Sequence, residues 1–386
     1  MTKRSYGDGG IDTRSENVHR LRYYVRGRRF TETFRGSLTD ARKKLRALIR
    51  SGDAGTHVAP TRTTLVDWVS EWLALRQRKV STRTAEHYGE LLRVNVLPTL
   101  GARPLQQIQE TEIDALYREL VRRLSPRSVH HVHVVLNSCF KTAVLKRQLP
   151  DNPAARADAP IAGESDAWNV LDADQLTALV KGFKGTALYG IVAVAAFTGM
   201  RRNEILALRW ADVDFETGRI KVCRSLDETK ANGRGTKAPK TKRGERSIAI
   251  DPALLDLLRA ERDKHLRIRA GVPEGAPVDL TLVRLPADAL VFPSPVMPLD
   301  FARLRNPTSV TKRFGSHAAA LGFPVRLHDL RHSHGTILLS KGVPIHEVAG
   351  RLGHDAAVLL KTYAHRLPKV DEQTAMLMGS ITKGVL

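Results

Sequence analysis

"HDLRHSHGT", residues 328 to 336, sets three histidines and an arginine within nine positions, and the reading of the whole chain turns on whether it grips a metal or an anion. His328 and His332 stand four apart and would share one helical face, a spacing used by zinc-binding helices. No Glu follows the first histidine, however, and Arg331 projects from the same side at i+3. A guanidinium repels a divalent cation placed beside it and is suited to a bidentate grip on phosphate. The stretch therefore reads as phosphate-binding, and no metal ligand is assigned.

Composition points the same way. The 386 residues carry 62 Lys+Arg against 40 Asp+Glu, a formal net charge of +22, so the expected partner is a polyanion, with nucleic acid ahead of an anionic membrane. The longest apolar run, "ALYGIVAVAAF" at 187 to 197, is shorter than the roughly 20 residues a bilayer span needs and reads as a buried helix. "MTKRSYGDGG" lacks the apolar region of a secretory signal. Cys139 and Cys223 are too few and too far apart for a disulfide framework or a zinc site. The expected compartment is the reducing cytoplasm, and the length implies two or three domains.

Three regions follow along the chain. Residues 1 to 57 carry 14 Lys/Arg against 6 Asp/Glu, a net +8. In "LRYYVRGRRFTETFRG", Leu21, Tyr23 and Val25 alternate with Arg22, Tyr24 and Arg26, the period of a strand with one apolar and one basic face, and Gly27 supplies a turn. "SLTDARKKLRALIRSG" reads as a helix capped by Ser37 or Thr39, with Leu45, Leu48 and Ile49 on one side. Arginines alternating with a tyrosine on a sheet face suit phosphate and groove contacts, so Arg22, Tyr24 and Arg26 are candidate DNA contacts. After a linker, residues 61 to 155 read as a wholly helical domain of four stretches, the last started by Ser125 and Pro126. A second linker, "LPDNPAARADAPIAGESDA", leads to residues 168 to 386, a mainly helical region with strand-like "GRIKVCRS" and "RSIAIDP" on either side of a polar, lysine-rich hairpin loop. The expected fold is a multidomain α+β chain: a small β-sheet plus helix, an all-α domain, and a mainly α domain holding a small antiparallel sheet.

Unusual polar groups in the last region collect in four boxes: "TGMRRNEILALRW" (198 to 210), "APKTKRGERS" (238 to 247), "HDLRHSHGT", and "LGHDAAVLLKTYAH" (352 to 365). In the first, Glu204 is placed to pair back to Arg201 at i+3, while the apolar flanks demand a strong reason for an arginine there. In the fourth, nine residues of unbroken helix would leave His354 and Tyr363 on opposite faces. Gly353 as a stop and Asp355 as a new cap supply the break that would let them converge.

In type, order and spacing these boxes resemble the tyrosine recombinase (phage integrase) family: Arg201 with Glu204, a hairpin lysine, His328-x-x-Arg331, Leu-Gly-His354, then Tyr363 nine residues on. The layout is similar to integrases with an arm-binding module (1–57), a core-binding domain (61–155) and a catalytic domain (168–386). Arg202 and the segment 270 to 289 receive no role from the resemblance.

The resemblance implies site-specific DNA recombination, in a phage or mobile-element integrase, by transesterification through a 3'-phosphotyrosyl link formed by Tyr363. Arg201 and Arg331 would neutralise the non-bridging oxygens without a metal or any cofactor. His328 and His354 would donate hydrogen bonds to the phosphate, with His328 placed to take the tyrosine proton as well. Lys240 would protonate the leaving 5'-oxygen, Glu204 would hold Arg201, and His332 and His334 would pack or support. The implied partners are double-stranded DNA at core and arm-type sites, copies of the same chain in a homotetramer on that DNA, and a DNA-bending or directionality factor. Strand relaxation of the type IB topoisomerase kind uses the same groups, but the separate basic N-terminal module favours recombination. A non-catalytic DNA-binding regulator would have no need of the tyrosine.

Overall fold

The computed structural model describes residues 9–55, 57–162, 169–239, 242–273, 275–363, 376, 378 and 380. Contacts divide the chain into two compact units, Met1–Ser165 and Asp166–Leu386.

The first unit opens with an antiparallel sheet of β1 (Gly10–Ser15), β2 (Val18–Val25) and β3 (Arg28–Arg35) in sequential order. The period-two pattern is realised, since Leu21 and Tyr23 are fully buried against Ala41 and Leu45 of α1 (Leu38–Asp53). Ser37 caps α1, its hydroxyl accepting from the Asp40 amide. The β2–β3 turn consists of Arg26 and Gly27, both at positive φ (49° and 78°), the two-residue hairpin geometry that matches strand twist. Arg26 thus lies in the turn and not on the strand face with Arg22 and Tyr24, because the alternation ends at Val25.

The helical region has its own core. Helices α2 (Leu65–Gln77), α3 (Thr82–Asn95), α4 (Leu97–Leu100), α5 (Glu110–Leu120) and α6 (Pro126–Leu145) bury Trp68, Trp72, Leu92, Tyr117 and Phe140 among others. Ser125 and Pro126 start α6 as cap and first helical residue. The expected boundary between residues 57 and 61 falls inside this unit, between two separate hydrophobic cores.

The second unit is built around α8 (Tyr189–Thr198), which follows α7 (Ala173–Gly182). All ten residues of α8 except Tyr189 and Phe197 are buried, as its uninterrupted apolar composition requires. After α9 (Arg202–Ile205) come β4 (Val213–Asp214) and β5 (Arg219–Val222), then the hairpin of β6 (Ser225–Thr229) and β7 (Gly233–Lys237), then β8 (Arg246–Ala249), which returns to pair with β5. The stretch read as a polar loop therefore carries a two-stranded ladder, with Leu226 and Thr229 buried in it. Its polarity hid it, since Leu226 and Thr229 are the only buried residues of its two strands. Helices α10 (Pro252–Ala270), α11 (Pro307–Ala320), α12 (Asp329–Ser340), α13 (Ile345–Leu352) and α14 (Ala356–Tyr363) complete the unit. Among the described residues, 270 to 289 form no regular element beyond the last residue of α10.

Candidate active site

The site forms where α8 ends. Gly199 caps α8 at φ +65°, and a Cβ there would lie 2.5 Å from Leu352 Cδ2 and 2.9 Å from His334 Cδ2. Only glycine lets the chain turn this close to α12 and α13. Two residues on, Arg201 occupies the N-cap of α9, with Glu204 in its first turn.

Glu204 is nearly sealed from solvent. Its Oε2 accepts from the Arg201 amide at 2.9 Å and its Oε1 from Arg201 Nη1 at 2.9 Å. A second cation shares the carboxylate: Arg246 of β8 donates from Nη2 to Oε2 at 2.8 Å and from Nη1 to Oε1 at 3.3 Å. Burial alone would raise the Glu204 carboxyl. The hydrogen bond and charge of Arg246, then the amide and charge of Arg201, outweigh it and hold the group below its ordinary value. The expected pairing of Glu204 to Arg201 is present.

Arg331, in the first turn of α12, is 2% exposed. Nη1 donates to the Gly199 carbonyl at 2.6 Å and Nη2 to the Leu352 carbonyl at 2.5 Å. Nη2 also stands 2.9 Å from His354 Nε2. A guanidinium has no acceptor, so His354 Nε2 accepts and the ring proton sits on Nδ1. That nitrogen is buried and has no hydrogen-bond partner among the described residues. Burial, then the charges of Arg331 and Arg201, push the His354 pKa down to about 3, so the ring is neutral at pH 7 and presents one unsatisfied N–H.

His354 is held by the turn the sequence implied. Gly353 ends α13 at φ +66°, and its carbonyl accepts from Arg201 Nη2 at 3.2 Å. Asp355 Oδ1 accepts from the Ala357 amide at the start of α14, and Tyr363 is the last residue of that helix. His328 occupies the N-cap of α12, its ring edge-on to His332 at 4.9 Å between centroids. Its pKa lies below the ordinary value, through burial first and the Arg331 charge second. The ring is therefore neutral at pH 7, able to accept a proton but with less driving force than an unperturbed imidazole. His334 supports: Nδ1 donates to the Ala196 carbonyl at 2.9 Å, and Nε2 accepts from Arg351 Nε at 3.0 Å.

Arg201 thus bonds Glu204 and Arg331 bonds His354, and the two pairs meet at the neighbouring carbonyls of Gly353 and Leu352, with His328 close enough to feel both arginine charges. Lys240 lies outside the described residues. Arg22, Tyr24 and Arg26 belong to the first unit, where Tyr24 is exposed and Arg22 pairs with Asp12. Arg202, left without a role, ties α9 to α11 through the Pro307 carbonyl and Thr311 Oγ1. Sequence reasoning missed Arg246 and Arg351. For Arg246 a signal existed: in "RSIAI" it alternates with Ile248 and Ile250, which places a charge on the inward face of a strand.

In chemical terms, two guanidinium groups and a neutral N–H without a partner among the described residues are groups suited to binding an oxyanion. Comparison with known proteins shows what the chain is similar to. The model of the phage integrase family matches residues 169–369, and that of the phage integrase central domain matches residues 66–159. An integrase of Streptomyces ambofaciens is 28% identical over 400 residues, covering 99% of this chain and 98% of that protein. Among solved structures, the Tn1549 transposon integrase in complex with a circular intermediate DNA superposes with a TM-score of 0.65 at 18% identity, covering 82% of this chain and 99% of that one. A lambda integrase tetramer bound to a Holliday junction gives 0.54 at 16% identity, with 92% and 96% covered.

Proposed function

The chain belongs to the phage integrase family, and from that premise we propose that its second unit cleaves DNA with Tyr363 as nucleophile, Arg201 and Arg331 as the phosphate clamp, and Lys240 as general acid. The protein is a tyrosine-type site-specific recombinase, an enzyme of DNA strand breakage and rejoining. Neither relaxation alone nor DNA binding without catalysis is favoured by that membership.

In the proposed reaction the Tyr363 phenolic oxygen attacks the scissile phosphorus. The bond to the 5'-oxygen breaks and a 3'-phosphotyrosyl ester forms. The tyrosine proton passes to His328, and the leaving 5'-oxygen takes one from Lys240. The ester conserves the energy of the phosphodiester, so a 5'-hydroxyl from another strand can reverse the step. Charge on the non-bridging oxygens is met by Arg201, Arg331 and the Nδ1–H of His354.

The observation that carries this reading is the Nδ1–H of His354, without a partner among the described residues and fixed in that tautomer by Arg331. A buried donor without a partner is costly, and a phosphate oxygen is the acceptor it lacks.

The wider assignment divides the chain into an arm-binding module (1–57), a core-binding domain (61–155) and the catalytic domain (168–386), acting as a homotetramer on double-stranded DNA. The lambda integrase tetramer on a Holliday junction, which shares the fold, supports that assembly. Among the described residues no helix is long and apolar enough to cross a membrane, and we place the reaction in the cytoplasm, with the DNA. Trapping on nicked suicide substrates tests the core of the reading: Tyr363→Phe should bind the site and form no covalent adduct on denaturing gels. A residual adduct would assign the attack to another residue.

A further inference from the structure

We infer that Arg246 is a positioning residue for the cleavage reaction: through the carboxylate it shares with Arg201, it sets where the Arg201 guanidinium stands. This rests on the reading of Arg201 as a phosphate clamp.

One carboxylate holds two arginines in contrasting surroundings. The Arg246 side chain is 6% exposed, that of Arg201 36%. Every nitrogen of the Arg246 fork is engaged: Nε donates to the Arg351 carbonyl at 2.7 Å, Nη1 to the Gly244 carbonyl at 3.2 Å and to Glu204, and Nη2 to Glu204. Four of its five N–H groups are thus committed, and the side chain is nearly sealed from solvent. Arg201 keeps an open face.

The consequence follows from charge. With both arginines present, the buried Glu204 carboxylate is satisfied from two sides, and Arg201 spends one nitrogen on it and another on the Gly353 carbonyl. Without Arg246, the carboxylate would retain Arg201 as its only cation in contact among the described residues. A buried carboxylate missing half its donors draws in the remaining one. The Arg201 fork would turn toward Glu204, off the Gly353 carbonyl and away from the phosphate. A lysine cannot replace the fork, since one ammonium cannot span the Arg351 carbonyl, the Gly244 carbonyl and both carboxylate oxygens.

Arg246 also begins β8, six residues after Lys240 in the chain, and its contact with the Arg351 carbonyl is returned by Arg351 Nη1 donating to the Ala249 carbonyl of the same strand at 3.1 Å. Its removal could therefore act through Arg201 or through the hairpin acid, and the two routes separate chemically. A methylphosphonate at the scissile position removes a charged non-bridging oxygen and relieves the need for an arginine facing it. A bridging 5'-sulfur relieves the need for an acid.

The test is single-turnover cleavage by the full-length protein of three core-site substrates: phosphodiester, methylphosphonate and 5'-phosphorothiolate. The methylphosphonate diastereomer is the one that best restores Arg201→Ala. We expect Arg246→Gln and Arg246→Lys to slow phosphodiester cleavage by about 10²-fold, the loss typical of one mispositioned charge-stabilising donor. The methylphosphonate should shrink that loss to under about 10-fold, in parallel with Arg201→Ala, and the sulfur substrate should leave it intact. An equal loss on all three substrates, or rescue by sulfur, overturns the inference. Should both Arg246 variants unfold, Glu204→Gln removes the shared charge and must give the same substrate pattern. If wild type itself forms no adduct through Tyr363, the underlying reading fails instead.

Discussion

Arg331 and His354, 23 residues apart in the chain, meet at 2.9 Å between Nη2 and Nε2, and the contact decides the chemistry of both. The guanidinium can only donate, so the imidazole must accept there and carry its proton on Nδ1. The same guanidinium is anchored by the carbonyls of Gly199 and Leu352, so two distant chain segments, at 199 and at 352–354, converge on one buried side chain.

Arg331→Lys should therefore behave almost as Arg331→Ala. A lysine keeps the charge, but it cannot hold two carbonyls and fix a histidine tautomer while facing phosphate. Cleavage should fall by about 10² to 10³-fold with site binding retained, read by single-turnover kinetics beside gel shifts. A lysine variant within a few-fold of wild type would reduce Arg331 to a point charge.

The pH dependence of stability offers a second check. Burial, then the Arg351 charge, lower the His334 pKa to about 4, because a proton added at Nε2 would face the guanidinium that donates to it. The unfolded chain titrates near 6.5, so between these values it binds more protons than the folded one. Stability is then complete above about pH 6.5 and falls as pH drops toward 4, by at most about 1.4 kcal/mol per pH unit for each such group. His332 and His354 act with the same sign. Denaturant unfolding between pH 7 and 5 should show the fall, and His334→Gln should show a shallower one. An unchanged slope in that variant would remove His334 from the account.

The parts of this site that were legible share one property: each is a local pattern. The strand alternation of Leu21 and Tyr23, the cap and proline at Ser125 and Pro126, and the stop and restart at Gly353 and Asp355 depend on a few neighbouring residues. The pairing of Arg201 with Glu204 is local too. Arg246 reaches Glu204 from 42 residues away and Arg351 reaches His334 from 17, and only the packed fold decides those partners. The β6–β7 ladder escaped for another reason. Its strands hold Ser, Asp, Glu, Gly, Arg and Lys, so backbone bonds and not apolar pattern define it.

A third prediction concerns the first unit. The outer face of its sheet presents Arg20, Arg22, Tyr24 and Arg29, while α1 covers the inner face. His57 closes the module, its Nε2 3.0 Å from the Tyr23 hydroxyl and its ring against Phe30. Removing residues 1 to 57 therefore takes away a whole small core and leaves the helical core untouched. Cleavage at the core site should persist, and recombination that needs arm-type sites should drop sharply. Equal loss of both would make the segment part of the catalytic assembly.

The last prediction concerns the general acid, since Lys237, Lys242 and Arg243 lie near Lys240 in the chain. Lys237 is bound to Asp227 at 2.6 Å across the β6–β7 ladder, and Arg243 is paired with Asp355. Those two are committed to structure, which leaves Lys240 and Lys242 to be told apart. If Lys240 protonates the leaving oxygen, Lys240→Ala should slow cleavage by about 10² to 10⁴-fold. A 5'-bridging sulfur departs as a thiolate without that proton, because a thiol is far more acidic than an alcohol. The variant should then cleave the sulfur substrate nearly as fast as wild type. Arg331→Ala should gain nothing from sulfur, since it acts on oxygens the substitution leaves in place. Rescue of Lys242→Ala and not of Lys240→Ala would move the acid two residues along the hairpin. Rescue of neither would make the hairpin lysine a phosphate clamp, with the proton supplied from elsewhere.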